Sequence, residues 1–216
     1  MALTFANPLG MDLSNFGLYG LRIYLQMWNT TTSTYAPDLV DMGIVENLSK
    51  SIDQQEATVD SARNGVRTPV KTLTQSFAET FTFDSLNVSD AVVRGLYEGS
   101  TSLTSAIANT KITIRRPGSA AQARLFVLNP GAPNTDSMLL MLPKVEIKAG
   151  DETQSNGSDP GRLGFSAKVL TDEAYKVPVA VLASNDSAPY GVHAILEPST
   201  TAVANLNALV EKLIPT

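Results

Sequence analysis

The sequence lacks the residues on which most covalent and metal chemistry depends. Its 216 residues include no cysteine and a single histidine, His193. Without cysteine there is neither a disulfide framework nor a thiolate zinc site, and a lone histidine on a strand-like segment is more often structural than catalytic. The glycine patterns of phosphate-binding and dinucleotide-binding loops are absent, as is the G-x-S-x-G elbow of serine hydrolases. We therefore expect no enzymatic activity, no cofactor and no metal site.

The polar segment 151–162 is the one stretch that invites a metal-binding interpretation. Polar side chains alternate from Asp151 onward, as ligands do in a calcium-binding loop. The sixth position, however, is Asn156 where such a loop requires glycine, and the twelfth is Arg162 where it requires a bidentate glutamate. The segment is therefore interpreted as a polar loop between strands.

Charge is scarce and unbalanced. Charged residues make up 17% of the chain and the formal net charge is −5, whereas an average domain has about 25% charged residues. A protein that grips duplex DNA needs a basic patch to neutralise phosphates, and this balance argues against one. Serine, threonine, asparagine and alanine take the place of the charged residues. Burying such side chains costs little desolvation and little rotamer entropy, which suits repeated contact between copies.

Long apolar runs are missing as well. No window approaches the 18 apolar residues of a membrane helix, and the N-terminus has neither the basic nor the apolar region of a signal peptide. We expect a chain that is made and kept in cytoplasm-like conditions, with no membrane span. The hydrophobic content of 43% still allows a sizeable core. Since no linker-like stretch divides the chain, we expect a single domain over residues 1–216.

Strand-like segments dominate what is present. Segment 21–29 alternates aliphatic with polar or aromatic residues, and segment 39–52 has a strand pattern that is interrupted near Gly43. Short strands separated by regular turn clusters are typical of a sandwich or a barrel. The remaining strands are expected at 111–116, 121–129, 137–149, 162–172 and 177–185.

Two segments have helical spacing instead. Segment 89–100 is expected to form a short helix with Ser89 as its N-cap, and 200–214 to form a C-terminal helix. Residues 1–20 show neither period and are expected to form an N-terminal arm with apolar anchors. The predicted fold is mainly β (α+β): a β-sandwich or barrel with a long β-hairpin arm, one short flanking helix and a C-terminal helix.

The clearest alternation runs from residue 70 to residue 84. Large apolar residues occupy odd positions and mostly hydroxyl residues occupy even positions, which predicts a strand with one aromatic and one hydroxyl face. Upstream, Asn64-Gly65 is a strong turn signal, and Pro69 bars a ladder hydrogen bond. We therefore expect a long hairpin over 52–84 with its tip at 63–69. The predicted core residues of the aromatic face and the adjacent helix are Leu73, Phe77, Phe81, Phe83 and Leu96.

The order of these segments resembles a known family. A strand with "IDQQEATVDSARNG" is followed by a tip, a Thr/Phe-rich strand ending "FTFD" and the helical "DAVVRGLYEG". Later come "MLPKVEI" and "GSDPGRLGFSAKVLTD". Over about residues 40–185 this arrangement resembles the tail tube (major tail) proteins of bacteriophages with long, non-contractile tails.

The resemblance implies a structural virion protein located in the tail and assembled in the host cytoplasm. Copies would form hexameric rings that stack into a tube, through which DNA passes transiently and without specific binding. Partners would be other copies and the tape measure, tail terminator and baseplate or tip proteins. The tip would reach the next ring, and polar residues of the two arm strands would line the channel. The inter-ring candidates are Arg63, Asn64, Gly65, Val66, Arg67, Thr68 and Pro69, and the channel-lining candidates are Glu56, Asp60, Thr74, Ser76 and Thr80.

Two other classes of protein remain open at this point. A capsid decoration protein or a pilus-type subunit has the same composition and terminal arm, but does not account for the long hairpin followed by a short helix. A β-sandwich binding module needs a cleft with convergent polar groups, which the sequence does not locate.

Overall fold

Alternating apolar segments form the strands of the computed structural model, which describes residues 5–6, 20–63, 66–99, 102–104, 111–116, 118–130, 136–155, 161–198 and 202–214. The fold is mainly β with two short helices, as expected. The helices are α1 (Ala91–Tyr97) and α2 (Ala202–Leu213). The strands are β1 (Phe5–Ala6), β2 (Arg22–Asn29), β3 (Thr34–Arg63), β4 (Val66–Ser85), β5 (Ser102–Thr104), β6 (Lys111–Thr113), β7 (Ala121–Asn129), β8 (Ser137–Thr153), β9 (Arg162–Val169) and β10 (Val192–Leu196).

Hydrogen bonding closes six of these strands into a barrel. Strand β3 pairs with β2, and the order continues through β7, β8 and β9 to β4, which pairs back to β3. All six pairings are antiparallel. Strand β1 adds to β3 in parallel, and β10 adds to β8. In a closed barrel each strand has a neighbour on both sides, which removes exposed strand edges.

The long strand β3 takes part in two pairings because it bends at Gly43. Strand β3 pairs with β2 up to Arg22↔Ile44, one residue past Gly43, and then pairs with β4 from Val45↔Ser85 onward. Gly43 has φ +76 and donates its N–H to Asp41 Oδ1 at 2.7 Å. A left-handed conformation favours glycine. The interruption that the sequence predicts near Gly43 is therefore a bend within one strand.

The barrel interior contains the larger of two apolar clusters. Interior residues alternate along each strand, for example Ile23 and Leu25 on β2, both fully buried. Helix α1 closes one end of the barrel: Val93 is fully buried in the same cluster, and the Tyr97 ring meets the edge of Phe165 at 5.8 Å. The side chain of Asp90 accepts from the N–H groups of residues 92 and 93. The N-cap is thus Asp90, and the prediction that Ser89 caps the helix is wrong.

A second cluster lies on the outer face of β2, β7 and β8. It combines alternate residues such as Tyr24 and Phe126 with Leu206 and Val210 of α2. The segment after β9 completes this cover through the buried Tyr175 and Val177. The prediction of a strand at 177–185 is wrong, because this segment forms turns. The N–H groups of Val181 and Leu182 both donate to the carbonyl oxygen of Pro178. Its apolar residues mark a covering loop, which explains why their pattern resembled a buried strand.

Candidate functional site

The β3–β4 hairpin forms an arm that extends beyond the barrel. The pairing of β3 with β4 extends from Val45↔Ser85 to Arg63↔Val66, with register shifts after Glu46, Gln55 and Val59. Strand β9 accompanies β4 only as far as Thr80↔Lys168. Beyond that point, within the described residues, the two strands pair only with each other. At roughly 3.3 Å per residue, the stretch from residue 52 to residue 63 is about 40 Å long.

The aromatic face of β4 crosses from the barrel interior to solvent at the base of the arm. Phe81 and Phe83 are buried, with exposed fractions of 4% and 1%. Phe77 has an exposed fraction of 50%, so the prediction that it belongs to the core of this chain is wrong. Between them Glu79 is buried and forms an ion pair with Lys50, whose ammonium lies 5.7 Å from the centre of the Phe81 ring. The interior ends at this ion pair because β9 no longer accompanies β4.

Leu96 and Leu73 are the other two predicted core residues, and only Leu96 has a described side chain. Leu96 is partly buried and packs against the interior cluster from α1. For Leu73 the structure gives only the backbone pairing with Ala57.

A bulge at residue 75 changes which face the hydroxyl residues occupy. The register steps from Gln55↔Ser76 to Glu56↔Thr74, so one extra residue is inserted in β4 and the alternation is reversed beyond it. The Gln54 amide, opposite Phe77, donates to Glu56 Oε1 at 2.9 Å and to Thr74 Oγ1 at 3.2 Å. Glu56 and Thr74 therefore share the face of Phe77, and Thr74 is not part of a continuous hydroxyl face.

The opposite face of the hairpin base carries the remaining hydroxyl groups. The Ser49 and Thr82 hydroxyls lie 2.7 Å apart, and Ser51 Oγ donates to the backbone oxygen of Thr80 at 3.4 Å. Ser76 is exposed and pairs with Gln55 on the same face. The expected channel-lining residues thus divide: Ser76 and Thr80 lie on this hydroxyl face, and Glu56 and Thr74 on the other. For Asp60 only the backbone pairing with Pro69 is described.

The tip of the arm is shorter than the sequence suggests. Strand β3 continues to Arg63 and β4 begins at Val66, so Val66, Arg67, Thr68 and Pro69 belong to the ladder as backbone positions. Asn64 and Gly65 lie outside the described residues. Pro69 pairs next to a register shift between residues 59 and 60, which is where a strand tolerates a residue without an N–H. Most of residues 1–20, the expected N-terminal arm, also lie outside the described part of the chain; its Phe5–Ala6 pairs with Leu39–Val40.

Three exposed apolar side chains lie at the root of the arm. Ile52, Phe77 and Tyr190 have exposed fractions of 55%, 50% and 55%. The rings of Phe77 and Tyr190 meet edge to face, with centroids 6.4 Å apart. We call these three residues the root patch. Sequence periodicity does not predict this patch, because Tyr190 is remote from the hairpin in the chain.

The described residues contain no cluster of three or more histidine, aspartate or glutamate side chains that could hold a metal ion. His193 is exposed on β10. Neither helix in the described part of the chain is long and apolar enough to cross a membrane.

Comparison with protein-family models finds no family that matches this chain. Comparison with curated proteins finds no significant match either.

Proposed function

We propose that this chain is a structural subunit of a bacteriophage tail tube, which self-assembles into stacked rings and forms the conduit for DNA ejection. One observation carries the proposal: the β3–β4 arm leaves the barrel with its outer edges unpaired among the described residues. An isolated two-stranded arm is marginally stable in water, and free strand edges pair readily with other chains. Further copies of the chain provide the partners that the arm lacks.

The root patch supports contact between copies. Ile52 and Phe77 lie diagonally opposite each other on the arm, and each is at least half exposed. Fully burying an aliphatic or aromatic side chain contributes about 1.5–3 kcal/mol, so covering this patch favours association. A contact between the arm of one copy and the barrel of the next is heterologous, and contacts of that kind propagate as rings or filaments. Rings of six copies are the expectation from the family resemblance.

The two faces of the arm suit two different neighbours. The face with the root patch also carries Glu56 and Thr74, and we assign it to contact with another subunit. The hydroxyl face, with Ser51 and Thr80, continues onto β9 at Ser166 and Lys168, and we assign it to the channel. Lys168 on this face pairs with Glu146 of β8, which offsets its charge. The hydroxyl groups make no strong phosphate contacts, and the net charge of −5 per chain opposes tight binding of DNA. DNA can then pass without being held.

Electron microscopy of the purified full chain over a range of concentrations tests the proposal. We expect rings or tubes with an axial channel. Particles that remain monomeric under all assembly conditions would contradict the proposed function.

A shortened arm provides the matched variant. Glu56 and Thr74 are direct partners in the hairpin, so replacing residues 57–73 with Asn-Gly closes the ladder with a two-residue turn that suits it. The barrel lies outside the deleted segment and should unfold at nearly the same temperature as in the full chain. Stacking of rings should be lost. Tubes of normal length from this variant would show that the arm does not connect rings.

A further inference from the structure

A cleft of about 410 Å³ lies on the outer face of the barrel. Its floor is Arg124 on β7, and its walls come from the covering segment after β9. This volume is within the usual range of small-ligand sites. The lining residues are Arg124, Asp172, Ala174, Tyr175, Lys176, Pro178 and Asn185.

Two tyrosine rings fix the guanidinium of Arg124. Its central carbon lies 3.8 Å from the centroid of the Tyr35 ring and 5.9 Å from that of Tyr175. Both rings are fixed in turn, because their hydroxyls donate to the backbone oxygens of Pro143 and Leu213. Such cation–π contacts hold the planar guanidinium in one orientation. The group is therefore preorganised.

The hydrogen bonding of Arg124 is incomplete. The side chain is 9% exposed, and its Nη1 donates to Gln26 Oε1 at 3.1 Å. The buried Nε has no acceptor among the described residues. None of the ion pairs in the described part of the chain involves Arg124. A guanidinium has five N–H donors, and the described residues provide an acceptor for one of them.

A buried charge that forms no direct ion pair is costly. Burial lowers the pKa of Arg124 from its ordinary value, and the nearby tyrosines and Asp172 oppose that effect. The guanidinium nevertheless keeps its proton, as arginine does in proteins. An anion that pairs with the guanidinium would offset part of the cost of desolvation.

We propose that this cleft binds a carboxylate group attached to a small apolar body. The carboxylate would pair with the Arg124 guanidinium, and the apolar body would lie against Tyr175, Pro178 and Ala174. The lining has a net charge of +1, because it contains Arg124 and Lys176 but only one acidic residue, Asp172. This charge matches a monoanion. The carboxylate belongs either to a free organic acid or to an acidic side chain of a second copy.

Benzoate and benzamide make a matched pair of probes for the full chain. They have nearly the same shape, and only benzoate carries the charge. The Arg124 Nε–H signal in a proton–nitrogen correlation spectrum is followed at constant ionic strength. We expect a saturable shift with benzoate and none with benzamide. If benzoate up to roughly 20 mM, twenty times a Kd of 1 mM, gives no shift, or if both probes act equally, the proposal is overturned.

Two variants show whether the response belongs to Arg124. Arg124→Lys keeps the charge but loses the planar guanidinium. We expect at least a tenfold loss of benzoate affinity, measured from the backbone amide signals of residues 172–176. Arg115→Lys is the control, because the Arg115 side chain is 74% exposed and lies outside the cleft. Equal affinity in wild type and Arg124→Lys would overturn the proposal. The wild-type titration tests it even if Arg124→Lys fails to fold.

Protein concentration distinguishes the two sources of the carboxylate. If the Arg124 signal shifts as subunits assemble, and benzoate competes with that shift, an acidic side chain of a second copy is the ligand. If the signal responds to benzoate and not to assembly, the ligand is a free acid. The titration needs no tube, so failure of the tail-tube proposal would leave this result unaffected.

Discussion

Phe77 and Phe81 lie on the same face of β4, yet Phe81 is 4% exposed and Phe77 is 50% exposed. The ion pair between Glu79 and Lys50 lies between them and marks the boundary between the barrel and the arm. This boundary separates residues that stabilise one copy from residues that are available to another.

Alanine substitutions at these two positions should therefore act on different properties. Phe81→Ala removes a buried ring and should lower the free energy of unfolding by about 3–5 kcal/mol. Phe77→Ala, the matched control, should lower it by less than about 1 kcal/mol in the unassembled subunit, because its ring is already half in solvent. Urea unfolding monitored by circular dichroism measures both. Equal losses would mean that the boundary is misplaced.

Phe77→Ala should also weaken assembly while leaving the fold intact. Sedimentation velocity at increasing protein concentration would detect this as a shift of the assembly midpoint to higher concentration. An unchanged midpoint would remove the root patch from the proposed interface.

The bend of β3 at Gly43 should not accept a side chain. Gly43 has φ +76, and a Cβ placed there would lie 2.9 Å from the Cβ of Asn87. Gly118 has a similar φ of +81 but no atom within 4 Å of the corresponding position. Gly118→Ala should lower the free energy of unfolding only by the backbone strain, of order 1 kcal/mol. Gly43→Ala should lower it clearly more, because the added methyl group also meets Asn87. Thermal unfolding of the two variants makes the comparison, and equal costs would show that Asn87 moves aside freely.

Stability should fall steeply at alkaline pH. Burial raises the pKa of Tyr24 and of Tyr175 from 10.0 to about 12, and the charge of Asp41 adds to the effect at Tyr24. Between pH 10 and 12 the unfolded chain releases these two protons while the folded chain keeps them. The stabilisation is therefore complete below pH 10 and is lost as the pH rises to about 12. The slope is at most about 1.4 kcal/mol per pH unit for each tyrosine.

Tyr175→Phe isolates one share of this pH dependence. The variant loses the hydrogen bond from Tyr175 to the Leu213 oxygen, so at neutral pH its free energy of unfolding should fall by about 1 kcal/mol. Its decline in stability between pH 10 and 12 should be shallower than that of the wild type. Denaturation curves of both proteins at pH 9, 10 and 11 measure this. If the free energy of unfolding falls with pH equally in both, Tyr175 has the same pKa in the folded and the unfolded chain.

Cysteine labelling should distinguish the two faces of the arm. The natural chain has no cysteine, so a single introduced thiol reports one position. In assembled tubes Ile52→Cys should be protected from a small maleimide by a neighbouring subunit, and Ser51→Cys on the hydroxyl face should be labelled. Both thiols should react in dispersed subunits, which serves as the control. The reverse pattern in tubes would exchange the channel face and the contact face.

The sequence alone determined most of the strands and both helices. Segment 121–129 forms a strand with those bounds, and the expected strands at 137–149 and 162–172 correspond to β8 and β9. The helical spacing near the C-terminus places Leu206, Val210 and Leu213 in one buried row of α2. These features follow from local periodicity, because a period of two or of 3.6 residues directs side chains to one face whatever lies beyond it.

Only the tertiary structure decided which faces are covered. Phe77 and Phe81 share the same alternation, and their burial differs because β9, distant in the chain, accompanies one and not the other. The bulge at residue 75 moved Thr74 to the face of Phe77, and single-residue insertions of this kind leave no clear mark in an alternating threonine-rich stretch. Arg124 lies between Tyr35 and Tyr175 because three separate segments meet on the outer face of the barrel. Burial depends on neighbours that are remote in sequence, and periodicity contains no information about which neighbours arrive.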